Sequence, residues 1–178
     1  MPDLTFNTKE SQTIARDLQI LYMNTGTGEL PVWSPVGMRV DDSAAEYDWS
    51  RESKQDIVGA TRNSLKKPVI TQTFDPWDLS NGDVAQVKLW NLAIRDQDSQ
   101  ALAALDMLVV HKYAGTADTA VFAERYDACS VEVTGLGGAG GGNITMPITV
   151  TYGGVRTVGT AKVSGGSVTF NADGSPAL

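Results

Sequence analysis

A succession of short, strand-like segments, separated by turns rich in glycine, proline and aspartate, most constrains how this chain folds. In residues 44–50 the apolar Ala45, Tyr47 and Trp49 alternate with polar residues, as expected of a half-buried strand. Similar segments are Asp17–Met23, Val32–Arg39, Val69–Phe74, Leu105–Tyr113, Val121–Thr134, Ile144–Tyr152, Val155–Val163 and Ser167–Phe170. About eight strands without a strand–helix–strand repeat predict a mostly β, antiparallel sandwich or barrel-like subunit.

One segment has helical spacing instead. Apolar residues recur at Val84, Val87, Trp90, Ala93 and Ile94, which predicts a single flanking helix over 84–96 with this face buried.

Glycine pairs divide the last third of the chain. Gly153-Gly154 and Gly165-Gly166 separate three strand-like segments, and such pairs are typical of hairpin turns. We therefore predict a three-stranded meander. Another turn is predicted at 24–28, between the first two strands.

A length of 178 residues suits one domain. We predict a single domain over 1–178, with a flexible lead-in at 1–16 and a flexible C-terminus at 172–178. Residues 51–67 lose the two-residue period and predict a long, polar inter-strand loop.

The charge excludes several classes of partner. The formal net charge is −7, which disfavours a nucleic-acid binder and binding to an anionic membrane surface. No apolar run is long enough to span a bilayer. Residues 1–10 lack the apolar stretch of a signal peptide, so we expect the chain to stay in a cytoplasm.

Few residues are available for catalysis or metal binding. Cys129 is the only cysteine and His111 the only histidine, so a zinc site has too few of its usual ligands and a catalytic triad would have to use His111. We interpret both residues, and Trp33, Trp49, Trp77 and Trp90, as packing residues. No metal, cofactor or enzymatic activity is predicted.

Residues 135–140 match the G-x-G-x-x-G pattern of dinucleotide sites. That site also requires a helix directly after the glycines, whereas residues 143–150 are strand-like. The tract therefore predicts a flexible hairpin loop.

The polar segment 51–67 differs in charge from the rest of the chain. The segment contains five cationic side chains and two acidic ones, Glu52 and Asp56, and so has a net charge of +3. Because the whole chain has a net charge of −7, the other residues together carry −10. The segment is either simply solvated or docks on the acidic body of another copy, since complementary charge guides such encounters. If the segment docks on another copy, Ile57 and Val58 supply the apolar part of that contact. The cations are Arg51, Lys54, Arg62, Lys66 and Lys67.

The order of these features resembles the major tail tube proteins of long-tailed bacteriophages, over roughly 15–171. The resemblance rests on the Trp33 segment, the strand at 44–50 and the polar segment containing Ile57-Val58-Gly59. It continues with Asp75-Pro76 before the helix, the Ala123–Cys129 strand and the Tyr152-Gly153-Gly154 and Val158-Gly159-Thr160 turns.

That resemblance implies a structural virion protein rather than an enzyme. Six subunits would form a ring, rings would stack into a hollow tail tube, and phage DNA would pass through it without tight binding. The segment 51–67 would reach the neighbouring ring. Expected partners are further copies of the chain and tail proteins such as the tape measure, tail tip and terminator. The protein would occupy the virion tail, and the host cytoplasm during assembly, with no membrane partner.

Three alternatives stay open at this stage. The chain could form the inner tube of a contractile tail or of a phage-derived injection particle. It could instead be a secreted carbohydrate-binding or adhesive β-sandwich, which predicts a monomer with clustered exposed aromatic residues. An esterase-like enzyme using His111 is the third.

Overall fold

The computed structural model describes residues 4–27 and 30–172. The predicted turn residue Gly28 and parts of both predicted flexible ends, 1–3 and 173–178, lie outside the described residues. Within the described ranges no helix is both long and apolar enough to cross a membrane.

Most regular structure in the described residues is β-strand. The strands are β1 (Gln19–Asn24), β2 (Trp33–Pro35), β3 (Ala45–Asp48), β4 (Glu52–Gln55), β5 (Thr61–Ser64), β6 (Val69–Phe74), β7 (Leu105–Thr116), β8 (Ala120–Val133), β9 (Ile148–Tyr152), β10 (Arg156–Ser164) and β11 (Ser167–Asn171). Every pairing between them is antiparallel. A short 3-10 helix, Arg16–Leu18, precedes β1.

The long strand β8 belongs to two sheets. Its first half pairs with β7 and β10, in a sheet ordered β2-β1-β7-β8-β10-β11. Its last residues, Ser130–Val133, pair with β9, in a second sheet ordered β8-β9-β6-β3. This arrangement confirms the prediction of a mostly antiparallel β fold with a flanking helix.

The main core lies where side chains of both sheets meet. Met23 and Met107 from the first sheet share one buried cluster with Phe74 and Val150 from the second, and Leu89 joins it from the helix. The opposite face of the first sheet forms a second cluster around Leu108, Val110 and Val121. Burial of this much apolar surface is the main favourable contribution to folding.

The predicted helix is present, but its buried face differs from the prediction. It comprises α1 (Val84–Trp90) and a π-helical turn, Asn91–Arg95. Ala85, Gln86 and Leu89 are buried, whereas Val84 is 60% exposed. The helix is rotated about its axis relative to the prediction, because Gln86 is held on the buried side. Its Oε1 accepts from Ser80 N, and its Nε2 donates to the Asp78 carbonyl. A second short helix, α2 (Ser99–Leu102), was not predicted.

The predicted meander is only half right. β10 and β11 form a hairpin in which Gly165 and Gly166 have positive φ, as two-residue turns require. β9 and β10 do not pair with each other, because Gly153-Gly154 carries the chain from the second sheet to the first. Gly154 has a φ of +74°, and an added Cβ would lie 2.7 Å from the Ala128 nitrogen.

The lead-in at 1–16 contacts the body of the protein in its described part. Phe6 forms an isolated bridge with Ala114, and Asn7 N donates to the Tyr113 carbonyl. Arg16 donates from Nε and Nη2 to the Ser43 carbonyl. The flexibility of both chain ends stays a prediction.

Candidate assembly surfaces

The segment 51–67 lies between β3 and β6 and forms a β-hairpin. β4 and β5 pair from Glu52↔Ser64 to Gln55↔Thr61, and every residue of both strands is exposed. The prediction of an aperiodic loop was therefore wrong about local structure. A ribbon exposed on both faces has no hydrophobic period, so nothing in its sequence marks it as two strands.

The hairpin tip is a defined turn with two apolar residues. Asp56 Oδ1 accepts from Val58 N at 3.1 Å and from Ala60 N at 2.9 Å, and Gly59 has a φ of +87°. The side chains of Ile57 and Val58 have relative exposures of 104% and 82%. The turn thus presents two adjacent branched side chains fully to solvent.

The predicted cations are distributed along this hairpin. Lys66 Nζ lies 2.8 Å from Glu52, and Arg62 lies 3.7 Å from Asp56. No ion pair of Arg51, Lys54 or Lys67 occurs among the described residues, which leaves a surplus of three positive charges.

Two cations of the hairpin face each other. Lys54 lies directly opposite Arg62 in the β4–β5 register, and like charges at directly opposed positions destabilise a strand pair. An acidic partner placed over this pair would relieve the repulsion. The seven predicted residues therefore lie on or directly beside this one hairpin.

A second exposed feature lies at the root of the hairpin. Tyr47 and Trp49 stack with ring centroids 6.5 Å apart, and each is 49% exposed. They line a groove of about 400 Å³, here called the root groove, together with Lys67 and Arg156. The face that the alternation predicted to be buried is therefore only half covered, and Trp49, which follows β3, lines a groove rather than packing in a core cluster.

The other tryptophans are more enclosed. Trp77 and Trp33 are buried, and Trp90 packs partly buried against the main core. Sequence reasoning could not separate Trp49 from these, because its exposure depends on which strand lies at the sheet edge.

Beneath the root groove, Glu124 is the centre of a polar cluster. Its Oε2 accepts from Tyr126 OH at 2.7 Å and from Arg156 Nε at 3.1 Å, and His111 Nε2 lies 3.5 Å from its Oε1. Burial raises the pKa of Glu124, but the contacts from His111, Arg156 and Tyr126 outweigh burial and lower it to about 2. The carboxylate is therefore charged at neutral pH.

His111 has the surroundings of a packing residue. Its Nδ1 lies 2.9 Å from Tyr113 OH, and its ring stacks on Phe122 at 5.3 Å. Cys129 is buried elsewhere in the core, and burial raises its pKa to about 11. Among the residues that the structure describes, no group of three or more His, Cys, Asp or Glu side chains could hold a metal ion.

The glycine tract 135–142 is a loop closed by backbone hydrogen bonds. Gly137 and Thr145 exchange both of their N–H···O bonds. The next regular element is β9, so the tract does not precede a helix, as a dinucleotide site would require.

Two further grooves lie beside the helices. The β8 groove, about 550 Å³, lies beside α2 and the end of β8. The α1 groove, about 380 Å³, is lined by uncharged residues including Val87 and Trp90. The lining of the β8 groove includes Ile94, Leu102, Glu132, Val133 and Leu136.

Comparisons with known proteins find similarity at the level of fold. No family model matches the chain, and no curated protein matches it. A sheath/tube terminator of an extracellular contractile injection system, PVC, in the extended state superposes with a TM-score of 0.53 at 12% identity, covering 84% of this chain and 99% of that one.

Two further solved structures give similar values. A chain of the PVC sheath-tube complex in the extended state has a TM-score of 0.50 at 10% identity, over 84% of this chain and 93% of that one. The tube terminating cap of the anti-feeding prophage has a TM-score of 0.50 at 13% identity, over 87% of this chain and 96% of that one. The chain therefore shares a fold with tube-associated components of contractile injection systems.

Proposed function

We propose that this chain is a structural subunit of a tail tube or tail-like tube, in which copies form rings and rings stack through the β4–β5 hairpin. The fold similarity spans most of the chain and of each neighbour. The observation that carries the proposal is the projecting hairpin with its exposed apolar tip.

An isolated two-stranded hairpin is marginally stable in water. Here β4 and β5 pair only with each other, and the tip exposes Ile57 and Val58 while contributing nothing to either core cluster. A neighbouring subunit that covers the hairpin would stabilise it and remove this apolar surface from water.

The charge of the chain suits a conduit. Six copies would carry 6 × −7 = −42 in formal charge, and an acidic tube repels nucleic-acid phosphates rather than binding them. The full proposal is a major tail tube protein in hexameric rings that passes phage DNA, located in the virion tail and assembling with tape measure, tip and terminator proteins. Catalysis plays no part in it.

A component of a contractile particle is the second candidate. The structural neighbours belong to such particles, and two of the three are a terminator and a terminating cap. A tube protein would elongate without limit, whereas a terminator would form rings that do not lengthen. The length distribution of assembled particles therefore separates the two candidates.

A carbohydrate-binding or adhesive domain is favoured by one observation, the exposed Tyr47–Trp49 pair. Aromatic faces of this kind suit stacking of sugars, but aromatics are also common at protein interfaces. This candidate predicts a monomer whose tryptophan fluorescence changes on addition of oligosaccharides and no longer does so in Trp49→Ala.

The experiment on the main proposal is negative-stain microscopy with sedimentation of the concentrated protein. Rings or tubes about 100 Å across are expected from six domains of this size. Deletion of residues 53–65, or reversal of Arg62, Lys66 and Lys67 to Glu, should abolish stacking while circular dichroism shows an unchanged body. His111→Ala is the matched control that should still assemble. A parent protein that stays monomeric at high concentration would contradict the proposal.

A further inference from the structure

We infer that the hairpin tip of one copy inserts into the β8 groove of the next copy, so that the groove is the acceptor for stacking. This inference rests on the proposed function and adds the identity of the receiving surface. The occupant is Ile57 and Val58 of a second copy, with Lys54 and Arg62 beside them.

The positions of the two surfaces support this contact. The hairpin leaves the second sheet at the Asp48↔Val69 end. The β8 groove runs along β8 and β9 from the Ser130↔Thr151 pair towards Val133, and so extends away from the hairpin end of the sheet. Translation of a copy along the strand direction therefore brings its hairpin towards the groove of the next copy. Contacts between two different surfaces of identical subunits repeat head to tail.

The chemistry of the two surfaces also matches. Ile94, Leu102 and Leu136 form the apolar part of a groove lining that also contains serine and threonine residues, and Leu136 is about half exposed. The tip offers two apolar side chains, and the Asp56 carboxylate beside them is engaged by the turn amides and by Arg62. Burial of branched side chains against such a lining is favourable.

The charges of the two surfaces are complementary. Glu132 is exposed and is the one charged residue that lines the β8 groove, and Asp98 caps the adjoining helix α2. Across the hairpin, Lys54 and Arg62 form the like-charged pair that an acidic partner would relieve.

Two other grooves fit this occupant less well. The root groove is lined by Lys67 and Arg156, which have the same sign as the hairpin, and by Glu124, whose carboxylate is already engaged by Arg156 and Tyr126. It also lies at the hairpin's own end of the sheet. No charged residue lines the α1 groove. The α1 groove therefore serves as the negative control in the crosslinking experiment.

Crosslinking tests the contact directly. Val58→Cys combined with Leu136→Cys should give subunit ladders in assembled protein treated with a short bismaleimide. Val58→Cys combined with Val87→Cys, in the α1 groove, should not. Cys129 can remain, because the thiolate is the reactive form and this thiol is buried with a pKa raised to about 11. Each single-cysteine variant is a control for non-specific links.

A charge exchange provides the second measurement. Lys54→Glu and Glu132→Lys should each raise the critical concentration for assembly about fivefold, as expected for loss of an interfacial ion pair, and the two together should restore it. Circular dichroism checks that both variants fold.

Two results overturn the inference in different ways. Tubes that form but crosslink through the α1 groove, or that show no charge rescue, refute the acceptor assignment and leave the proposed function intact. A parent protein that forms no rings or tubes refutes both.

Discussion

Replacing Glu124 by Gln should destabilise the fold by an amount that depends on pH. Glu124 joins three strands, since it contacts His111 on β7, Tyr126 on its own strand β8 and Arg156 on β10. Gln keeps the size of the side chain but removes the negative charge to which Tyr126 and Arg156 donate and near which His111 lies. The variant therefore measures what the ionised carboxylate contributes.

The magnitude follows from the pKa. A decrease from 4.5 to about 2 corresponds to about 3 kcal/mol at 1.36 kcal/mol per pH unit. Because the pKa is lower in the folded state, the stabilisation is present in full above about pH 4.5 and is lost as the pH falls towards 2. At pH 3 the linkage relation leaves less than half of this stabilisation.

Urea unfolding followed by circular dichroism, at pH 7, 5 and 3, checks this expectation. The difference in unfolding free energy between parent and Glu124→Gln should be about 3 kcal/mol at pH 7 and 5, and less than half of that at pH 3. Glu46→Gln, on the exposed edge strand β3, is the control and should differ little at any of these pH values. A difference that is the same at pH 7 and pH 3 would refute the role of the ionised carboxylate.

Three further substitutions test local features of the structure. Gly154→Ala forces a Cβ into the crossing between sheets at positive φ and should cost about 1–3 kcal/mol in thermal unfolding, whereas Gly140→Ala, with open space around it, should cost far less. Asp56→Ala removes the carboxylate that accepts from the Val58 and Ala60 amides. We expect faster hydrogen exchange of these amides with an unchanged melting temperature, and an unchanged exchange rate would contradict the role of Asp56 in the turn. Tyr152→Phe removes the 2.6 Å hydrogen bond to the buried Gln72 and should cost about 1–2 kcal/mol in urea unfolding; a neutral result would show that water replaces the hydroxyl.

The sequence predicted the elements better than their connections. Apolar and β-forming composition located the buried strands β1, β6, β7 and β8, because each has at least one face in a core. It could not show that β8 serves two sheets, since the partners of a strand depend on the rest of the fold. Gly153-Gly154 was misread as a hairpin because a tight turn and a sheet crossing both require the freedom of glycine.

The helix shows a different limit of pattern reasoning. Hydrophobic spacing predicted its extent, yet Gln86 and not Val87 faces the core. The two hydrogen bonds that bury Gln86 come from the turn at 78–80, and such tertiary partners cannot be recognised in a period of 3.6 residues. The result is an exposed apolar strip, Val84 and Val87, beside the α1 groove.

For the proposed assembly surfaces, the sequence singled out the hairpin but not the β8 groove. The charge and apolar residues of the hairpin are contiguous in the chain, so composition alone singles out 51–67. The β8 groove combines residues from the π-helical turn, α2, β8 and the glycine tract, and no local pattern connects them.

The separation of donor and acceptor bears on how growth would stop. If the hairpin and the β8 groove are the two halves of one contact, each added ring presents the same pair of surfaces again, and stacking has no intrinsic end. A terminating subunit of the same fold would need only one functional half, either a hairpin or a groove. On this reasoning, similarity of fold to a tube terminator and to a terminating cap is compatible with both candidate roles. If Ile57 and Val58 on one side and Glu132 on the other prove to be two functional halves of one contact, the elongating role is favoured, because a terminator would need only one half.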